Sequence, residues 1–236
     1  TKQLVNNDAK IAIGYQNEIL LKRVKPLSQE IGSKILIECD FNKDNSINNA
    51  VEIIKREWGK IDFIVHAVAF ADKTELNGRY VDTSKDNFLN CLDISCYSLT
   101  TLARAFEPIM NHGGSVLTLT FYGSNKVIPN YNLMGIAKAA LETSVKYLSV
   151  DLGDKNIRVN AISAGPMRTI AGAAINNARE VFKFTEEHSA LKRNAHLDEI
   201  GKSALYFISD LSSAVTGEVH YVDCGYNIIG MPTNNN

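Results

Sequence analysis

Apolar residues along the chain fall into two alternating kinds of segment, short continuous runs and longer runs with helical spacing. The short runs predict six strands, at 10–16, 34–40, 60–70, 115–120, 156–163 and 218–224. Apolar residues three or four positions apart predict helices at 18–31, 45–58, 83–112, 130–152 and 197–209. Gly32, Gly59 and the pair Gly113-Gly114 are predicted to end three of these helices. The run 60–70 is almost wholly apolar, which is typical of a strand buried on both faces.

This alternation indicates an α/β fold. Strands that are joined through helices lie parallel, so we predict a doubly wound parallel sheet, Rossmann-like, with helices on both faces. In such sheets, ligands bind beyond the carboxyl ends of the strands. Candidate positions are therefore Gln16, Asp40-Phe41, 67–71, Phe121-Tyr122 and 163–169. Residues 1–236 are predicted to form a single dinucleotide-binding domain, with a flexible tail at 232–236.

One part of a dinucleotide-binding fold is not found in the pattern. Such folds begin with a strand, a glycine-rich turn and a helix that together surround the pyrophosphate. No glycine-rich segment precedes residue 10, and the first glycine, Gly14, lies inside a predicted strand. We therefore expect an amino-terminal truncation of roughly 25–30 residues, one strand–turn–helix unit that includes the first strand. Residues 1–8 would then end the first helix. The alternative is a protein with an altered cofactor site.

Composition and charge exclude several other classes of protein. The 236 residues are 45% hydrophobic and 22% charged, with a formal net charge of -1, so no nucleic-acid or membrane partner is predicted. The best apolar run, 63–71, is too short to span a bilayer. The four cysteines form no CxxC pair and are predicted to be reduced, and no metal-ligand spacing occurs. His66 is predicted to be a hydrogen-bonded core histidine rather than a ligand.

The stretch 115–138 holds the strongest chemical signal. A strand leads through a polar turn to a helix that is predicted to begin near Pro129 and Asn130. Tyr131 and Lys138 are seven positions apart, almost two helical turns, so both side chains should leave the same face of the helix. A phenol and an ammonium group that meet beyond a strand end are suited to donating a proton.

Several motifs, in this order, resemble the enoyl-acyl-carrier-protein reductases of bacterial type II fatty-acid synthesis, a divergent branch of the short-chain dehydrogenase/reductases. They are YQNE (15–18), HAVAFADK (66–73), GGSVLTLT (113–120), IPNYNLMGIAKAALE (128–142) and IRVNAISAGPMRT (157–169). Ordinary short-chain dehydrogenases carry Tyr-x3-Lys, whereas here Gly135 is the fourth residue after Tyr131. Tyr131 and Lys138 match the Tyr-x6-Lys of the enoyl reductases. The chain departs from the family at Phe121, where a tyrosine is frequent, because phenylalanine cannot donate a hydrogen bond.

The resemblance implies reduction of the trans-2 double bond of an enoyl thioester by NADH. Tyr131 would donate a hydrogen bond to the thioester oxygen, and Lys138 would hold the nicotinamide ribose. Gln16, a neutral amide placed by resemblance beside the adenosine ribose, favours NADH over NADPH. The other implied cofactor contacts are Asp40, Phe41, Val68, Met167, Arg168, Thr169, Ile170 and Ala171. The implied substrate contacts are Ala71, Tyr122 and Tyr131.

The resemblance also implies partners and a location. The substrate would arrive on an acyl carrier protein, and the chain would form a homotetramer in the bacterial cytoplasm. Residues 171–187 would form a flap over the acyl chain. Its apolar residues would either line the acyl tunnel or belong to a helix core; they are Ile175, Val181 and Phe182. Nearby cations would either contact the acidic carrier or be solvated; they are Arg179, Lys183, Lys192 and Arg193.

Two other functions stay open at this point. A short-chain reductase of keto- or hydroxyacyl substrates would need Tyr-x3-Lys and a catalytic serine on the preceding strand. Gly135 and the pair Phe121-Tyr122 speak against it. A non-catalytic Rossmann-like protein, used for binding or assembly, is supported only by the absence of a glycine-rich loop.

Overall fold

The computed structural model describes residues 1–43, 45–167, 169 and 178–231. Within these ranges six strands form, and every hydrogen-bonded pair of strands is parallel. They are β1 (Ala12–Tyr15), β2 (Ile35–Glu38), β3 (Ile61–His66), β4 (Met110–Thr120), β5 (Arg158–Ala164) and β6 (Val219–Val222). Strands β1 and β2 form one sheet, and the others form a second sheet in the order β3-β4-β5-β6. All six predicted strands are confirmed.

Helices connect the strands throughout the described chain. They are α1 (Lys2–Val5), α2 (Glu18–Glu30), α3 (Ser46–Trp58), α4 (Lys73–Leu76), α5 (Lys85–Leu92), α6 (Ser98–Phe106), α7 (Asn132–Asp151), α8 (Ala178–His188) and α9 (Leu197–Ile208). Local chemistry explains several helix ends. The side chain of Asn17 accepts hydrogen bonds from two free N–H groups in the first turn of α2. Gly59 ends α3 with a φ of 75°, and His196 and Glu199 form a capping box at the start of α9.

Helices cover both faces of the larger sheet, which confirms the doubly wound prediction. One apolar cluster joins β4 and β5 to α7, and its members include Val116, Val159, Leu141 and Val145. A second cluster joins the opposite face to α9, through Leu117, Ile162, Ile200 and Phe207. The first cluster also contains Ile37 of β2 and Ile54 of α3, so the two sheets share one core. That residues 1–236 form one domain stays a prediction.

The prediction of one helix over 83–112 is wrong. After α5 the chain forms a π-helical turn, Asp93–Tyr97, and after α6 a single 3-10 turn that contains Pro108. Proline lacks the N–H group that would continue the helix, and β4 begins two residues later. The pair Gly113-Gly114 therefore lies inside β4. It coincides with a register shift against β3, and a β-carbon at Gly114 would lie 3.0 Å from the carbonyl oxygen of Asp62.

Strand β3 is also shorter and more exposed than predicted. It ends at His66, and its side chains are not all buried, since Val65 is 38% exposed. Within the described strands β3 pairs only with β4, so it forms an edge of its sheet. Residues 67–71 therefore form a loop beyond the strand end instead of continuing the strand.

Membrane-spanning helices and metal sites are not found in the described ranges. No helix there is long and apolar enough to cross a bilayer. No three His, Cys, Asp or Glu side chains of those ranges lie close enough together to hold a metal ion. The four cysteines are free thiols.

Candidate active site

Tyr131 lies at the junction between the β4–α7 connection and the helix. It is the N-cap of α7, which begins at Asn132, so the predicted start near Pro129 and Asn130 is two residues too early. Asn130 and Asn132 adopt positive φ angles of 60° and 33°, which asparagine tolerates better than most residues. The tyrosine side chain is buried, and burial raises the pKa of Tyr131 far above its usual range. The phenol therefore keeps its proton at neutral pH.

The ring of Tyr131 is held between an aromatic side chain and a glycine. The ring of Phe121 packs edge-on against it, with ring centroids 5.0 Å apart. A β-carbon at Gly123 would lie 2.7 Å from the Cε1 atom of Tyr131, and a β-carbon at Gly135 would lie 2.6 Å from the carbonyl oxygen of Gly123. Glycine at 123 and 135 thus allows the turn after β4 to approach both the ring and helix α7.

Lys138 is buried two helical turns further along α7. Its Nζ donates to the carbonyl oxygen of Leu119, at 2.8 Å, and to no other described residue. An ammonium group has three N–H donors, so two remain for a ligand. Burial lowers the pKa of Lys138 to about 8, against the opposing effects of Cys91 and Glu142. The same two residues influence the phenol of Tyr131, so the tyrosine and the lysine face common neighbours, as their spacing predicts.

His66, at the end of β3, is a hydrogen-bonded core histidine, as predicted. Its Nε2 lies 2.8 Å from Ser98 Oγ and its Nδ1 lies 2.9 Å from Thr118 Oγ1. Ser98 also donates to the carbonyl oxygen of Ile94, at 2.6 Å, and Thr118 also donates to the carbonyl oxygen of His66, at 3.2 Å, so each ring nitrogen faces a hydroxyl with a second partner. Burial and, to a lesser extent, the charge of Lys138 lower the pKa of His66 to about 3. The imidazole is therefore neutral.

The strand ends bring the predicted adenosine-side residues together. The Nε2 atom of Gln16, after β1, lies 3.4 Å from Oδ1 of Asp40, after β2. Asp40 is fixed in turn, because its backbone N–H donates to Ser46 and its carboxylate accepts from the backbone N–H of Asn42. The ring of Phe41 lies edge-on to the imidazole of His66, with centroids 6.3 Å apart. This links the adenosine side to the end of β3.

The predicted substrate contacts also meet, in a third apolar cluster that we call the phenol cluster. Its members are Ala71, Leu76, Phe88, Cys91, Leu92, Phe121, Tyr122, Ile128, Tyr131, Leu133, Met134, Ala137 and Val181. Val181 of α8 packs against this cluster, which fits both a tunnel-lining residue and a member of a helix core. The hydroxyl of Tyr122 donates to the carbonyl oxygen of Asn227, at 3.1 Å, and so is already engaged by the carboxyl-terminal segment.

The nicotinamide-side prediction is only partly described. Val68 lies half-buried in the loop after β3, and Met167 packs half-buried against the α9 face of the sheet. The backbone N–H of Thr169 donates to the carbonyl oxygen of Met167, at 2.8 Å. The predicted contacts Arg168, Ile170 and Ala171 lie outside the described residues, as does Ile175.

Three of the four cations weighed as carrier contacts have partners within the chain. The guanidinium of Arg193 donates to both carboxylate oxygens of Glu199, at 2.7 and 2.8 Å. Lys183 lies 3.7 Å from Glu187, and Lys192 donates to the carbonyl oxygen of that glutamate. These contacts leave Arg193 least suited to bind a carrier.

Sequence reasoning missed several residues that shape the site. Ser95, in the π-helical turn, accepts from the backbone N–H of Phe70 at 2.8 Å and donates to its carbonyl oxygen at 2.9 Å, and so holds the loop after β3. Ser163 lies within the predicted range 163–169, and its buried Oγ atom has no hydrogen-bond partner among the residues that the structure describes. Glu142 accepts hydrogen bonds from the end of β4 and from the turn that follows it. Its position four residues after Lys138 on one helix is the sequence signal that points to it.

The chain is similar to known proteins along almost its whole length. The family model described as "Enoyl-(Acyl carrier protein) reductase" matches residues 1–227. The chain is 53% identical to enoyl-acyl-carrier-protein reductase (NADH) 2 of Rhizobium meliloti, over 98% of the chain and 87% of that protein. An enoyl reductase of Anaplasma phagocytophilum, solved with NAD, superposes with a TM-score of 0.94 at 49% identity and covers 99% of the chain and 87% of its own. The Bacillus cereus enoyl reductase, solved with NADP+ and an indole naphthyridinone, has a TM-score of 0.94 at 42% identity, covering 97% and 90%.

Proposed function

The chain belongs to the enoyl-(acyl carrier protein) reductase family, and from this premise we propose that it reduces the trans-2 double bond of enoyl thioesters in fatty-acid elongation. The reductant is NADH, and the thioester is carried by acyl carrier protein. The observation that carries the proposal is the buried pair of Tyr131 and Lys138, in Tyr-x6-Lys spacing, at the carboxyl ends of the strands. The hydroxyl of Tyr131 and the ammonium group of Lys138 can therefore bind a ligand in an apolar surrounding.

The residues present fit NADH. Gln16 and Asp40 offer an amide and a carboxylate to a ribose hydroxyl and no positive charge to a 2′-phosphate. Lys43, whose pKa is raised by its hydrogen bond to Glu38 and to a lesser extent by Asp40, is held by Glu38. At the other end of the site, the buried Ser163 Oγ has no hydrogen-bond partner within the described ranges, and Lys138 has two N–H donors that no described residue uses. We propose that Phe41, Val68, Met167, Arg168, Thr169, Ile170 and Ala171 complete the cofactor contacts.

The chemistry of the chain follows from these positions. Bound NADH supplies a hydride to the β-carbon of the enoyl group. Negative charge then develops on the thioester oxygen, and the phenol of Tyr131 donates a hydrogen bond there, which lowers the barrier because the charge exists mainly in the transition state. Lys138, charged below pH of about 8, orients the ribose hydroxyls and favours that developing charge. Phe121 excludes water from the ring of Tyr131 without offering a second donor.

We propose that the acyl chain lies against the phenol cluster, beside Ala71 and Tyr122. Val181 of α8 would cover it. Apolar side chains surround the phenol in this cluster, and a fatty chain gains free energy by leaving water for such a surface.

Neither rival function has comparable support. A keto- or hydroxyacyl reductase needs a lysine at the position of Gly135, and the glycine is buried there. A binding or assembly protein has no need of a buried phenol and a buried amine, whose desolvation is unfavourable without a function.

We further propose a homotetramer in the cytoplasm. An exposed apolar stripe runs along α7, at Ile136, Tyr147 and Val150, the last being 78% exposed. Leu89 and Tyr97 are also exposed, and Cys96, beside Tyr97, lies 3.5 Å from Ser144 of α7. Such a stripe is suited to burial against another copy of the chain. Light scattering should report a tetramer that Val150→Glu dissociates; a monomeric wild type would contradict the assembly.

The function is tested by NADH oxidation with a crotonyl thioester, with NADPH in parallel. Tyr131→Phe should lower kcat by about a hundredfold, as for loss of one oxyanion donor, and leave the Kd for NADH within about twofold. Tyr206→Phe, on helix α9, is the matched control. An unchanged kcat in Tyr131→Phe would remove the phenol from the reaction, and a wild type inactive with both cofactors would refute the reductase function.

A further inference from the structure

A carboxylate that the proposed reaction does not use lies behind the phenol. Glu142, on α7, accepts hydrogen bonds at Oε1 from Thr120 Oγ1, at 2.7 Å, and from Ser124 Oγ, at 2.5 Å. Its Oε2 lies 3.4 Å from the side-chain nitrogen of Asn125. No lysine or arginine in the described ranges forms an ion pair with it. We call these four residues, Thr120, Ser124, Asn125 and Glu142, the Glu142 cluster.

The three donors belong to one piece of chain. Thr120 ends β4, and Ser124 and Asn125 belong to the turn that follows it. Asn125 also donates to the hydroxyl of Tyr221, at 3.1 Å, so the cluster reaches β6. The carboxylate therefore fastens the end of β4 and its turn to α7.

The same turn carries the glycine that touches the catalytic ring. Gly123 immediately precedes Ser124, and its carbonyl oxygen is the atom that a β-carbon at Gly135 would meet, 2.6 Å away. A side chain at position 123 would clash with the ring of Tyr131, because the turn lies too close to that ring. A turn that moved away from α7 would remove this contact and leave the ring free to rotate.

We propose that Glu142 is a positioning residue, which holds the turn 121–125 against α7 and thereby fixes the phenol of Tyr131 where it meets the substrate. This proposal rests on the reductase function proposed above. The hydroxyls of Thr120 and Ser124 join the strand and the turn to the helix, because both donate to Glu142. Small misplacements of a reacting group slow reactions strongly, so a contact that prevents them contributes to the rate.

The charge of Glu142 provides a second readout. The described groups whose charge influences Tyr131 are Cys91 and Glu142, and those that influence Lys138 are Cys91, Glu142 and Cys96. His66 also faces Lys138, whose charge lowers the pKa of the imidazole. Burial is the larger cause at both Tyr131 and Lys138. The pKa of Cys91 is raised by burial, so its thiol is neutral near pH 7. Loss of the Glu142 charge should therefore lower the pKa values of both Tyr131 and Lys138 and move the alkaline limb of the rate profile to lower pH.

The experiment compares Glu142→Ala, Glu142→Gln and Ser124→Ala in the full enzyme. Asp151→Asn, which removes an exposed carboxylate from the end of the same helix, is the matched control. We expect Glu142→Ala to lower kcat by about tenfold with the Kd for NADH within about twofold. Glu142→Gln should lose less rate but show the full shift of the alkaline limb, since the amide keeps an acceptor and loses the charge. Ser124→Ala should lower kcat without moving that limb.

Each outcome decides the question. A kcat of Glu142→Ala equal to that of the control overturns the proposal. If Glu142→Ala does not fold, Glu142→Gln and Ser124→Ala decide, and unchanged kcat and pH profile in both overturn it. An inactive wild type would refute the reductase function, whereas an active wild type with an indifferent Glu142→Ala would refute this inference alone.

Discussion

The two ends of strand β5 hold buried polar side chains in opposite ways. At the amino end, the guanidinium of Arg158 donates to the carbonyl oxygens of Phe207 and Ser209, at 2.7 and 3.2 Å, and to the hydroxyl of Ser212. Asn160 is likewise bonded at both its amide nitrogen and its oxygen. At the carboxyl end, the hydroxyl of Ser163 has no hydrogen-bond partner in the part of the chain that the structure describes. The buried side chains of β5 are thus fully hydrogen-bonded near its amino end and not at its carboxyl end.

The two buried Lys and Arg side chains among the described residues repeat this difference. Arg158 is 6% exposed and Lys138 is 5% exposed, yet the first has three acceptors and the second has one. A buried donor without a partner is unfavourable for folding, so it persists where a ligand uses it. Burial alone therefore does not separate structural from functional cations, whereas the count of unused donors does.

The largest effect should come from removing the structural cation. Arg158→Met leaves buried acceptors at the end of α9 without their donor, and we expect a loss of about 3 kcal/mol in the free energy of unfolding. For a chain of this length, that corresponds to a fall in Tm of roughly 6–12 °C in calorimetry. At a temperature where the variant is folded, kcat should stay close to wild type. Arg56→Met, at an exposed arginine, is the control. A variant with normal Tm and reduced kcat would break the comparison.

The functional cation should behave in the opposite way. Lys138→Met removes an ammonium whose burial costs on the order of 3 kcal/mol, judged from its lowered pKa, so Tm should equal or exceed that of wild type. The Kd for NADH, measured by fluorescence titration, should rise by about a hundredfold, because the ligand loses a charged donor in a buried site. Equal NADH affinity would remove Lys138 from the cofactor site. A large fall in Tm would make it a structural cation like Arg158.

The smallest effect is a pH dependence that only Lys138 should show. Its pKa in the folded chain, about 8, lies below that of an unfolded chain, so the folded protein loses this proton first as pH rises. The desolvation penalty of the ammonium is fully present below pH of about 8 and disappears at higher pH, so this group makes stability rise with pH there. NADH affinity should fall several-fold between pH of about 7 and about 9. Lys138→Arg, with a fixed charge, should bind more weakly but show a flat profile; a flat wild type would contradict the assignment.

Much of the frame was predictable because it depends on local pattern. Apolar runs of β-branched residues located all six strands, and strand ends located Gln16 and Asp40, which the fold then brings within hydrogen-bond distance. The spacing of Tyr131 and Lys138 predicted their common surroundings. The end of the helix before β4 was misplaced because Gly113-Gly114 resembles a helix stop, whereas Pro108 ends the helix and the glycines allow a bulge.

The rest depends on contacts between distant segments, which no local pattern encodes. Ser95 matters because a π-helical turn directs it to the backbone of Phe70, and π turns carry no reliable sequence signal. Glu142 resembles a solvated helix residue until the end of β4 is packed beside it. That the hydroxyl of Ser163 lacks a hydrogen-bond partner among the described residues can be recognised only when its neighbours in the fold are known.

The approach of Gly123 to Gly135 also limits how this chain can evolve. A lysine four residues after Tyr131 would put its β-carbon against a backbone oxygen, so the ordinary short-chain spacing cannot be reached by a point mutation that leaves the turn in place. Moving the lysine back by one helical turn requires the turn to be rebuilt at the same time. Variants between the two spacings would lack either a correctly placed lysine or the turn that packs against the phenol ring. In this chain a steric barrier in the backbone therefore separates the two spacings.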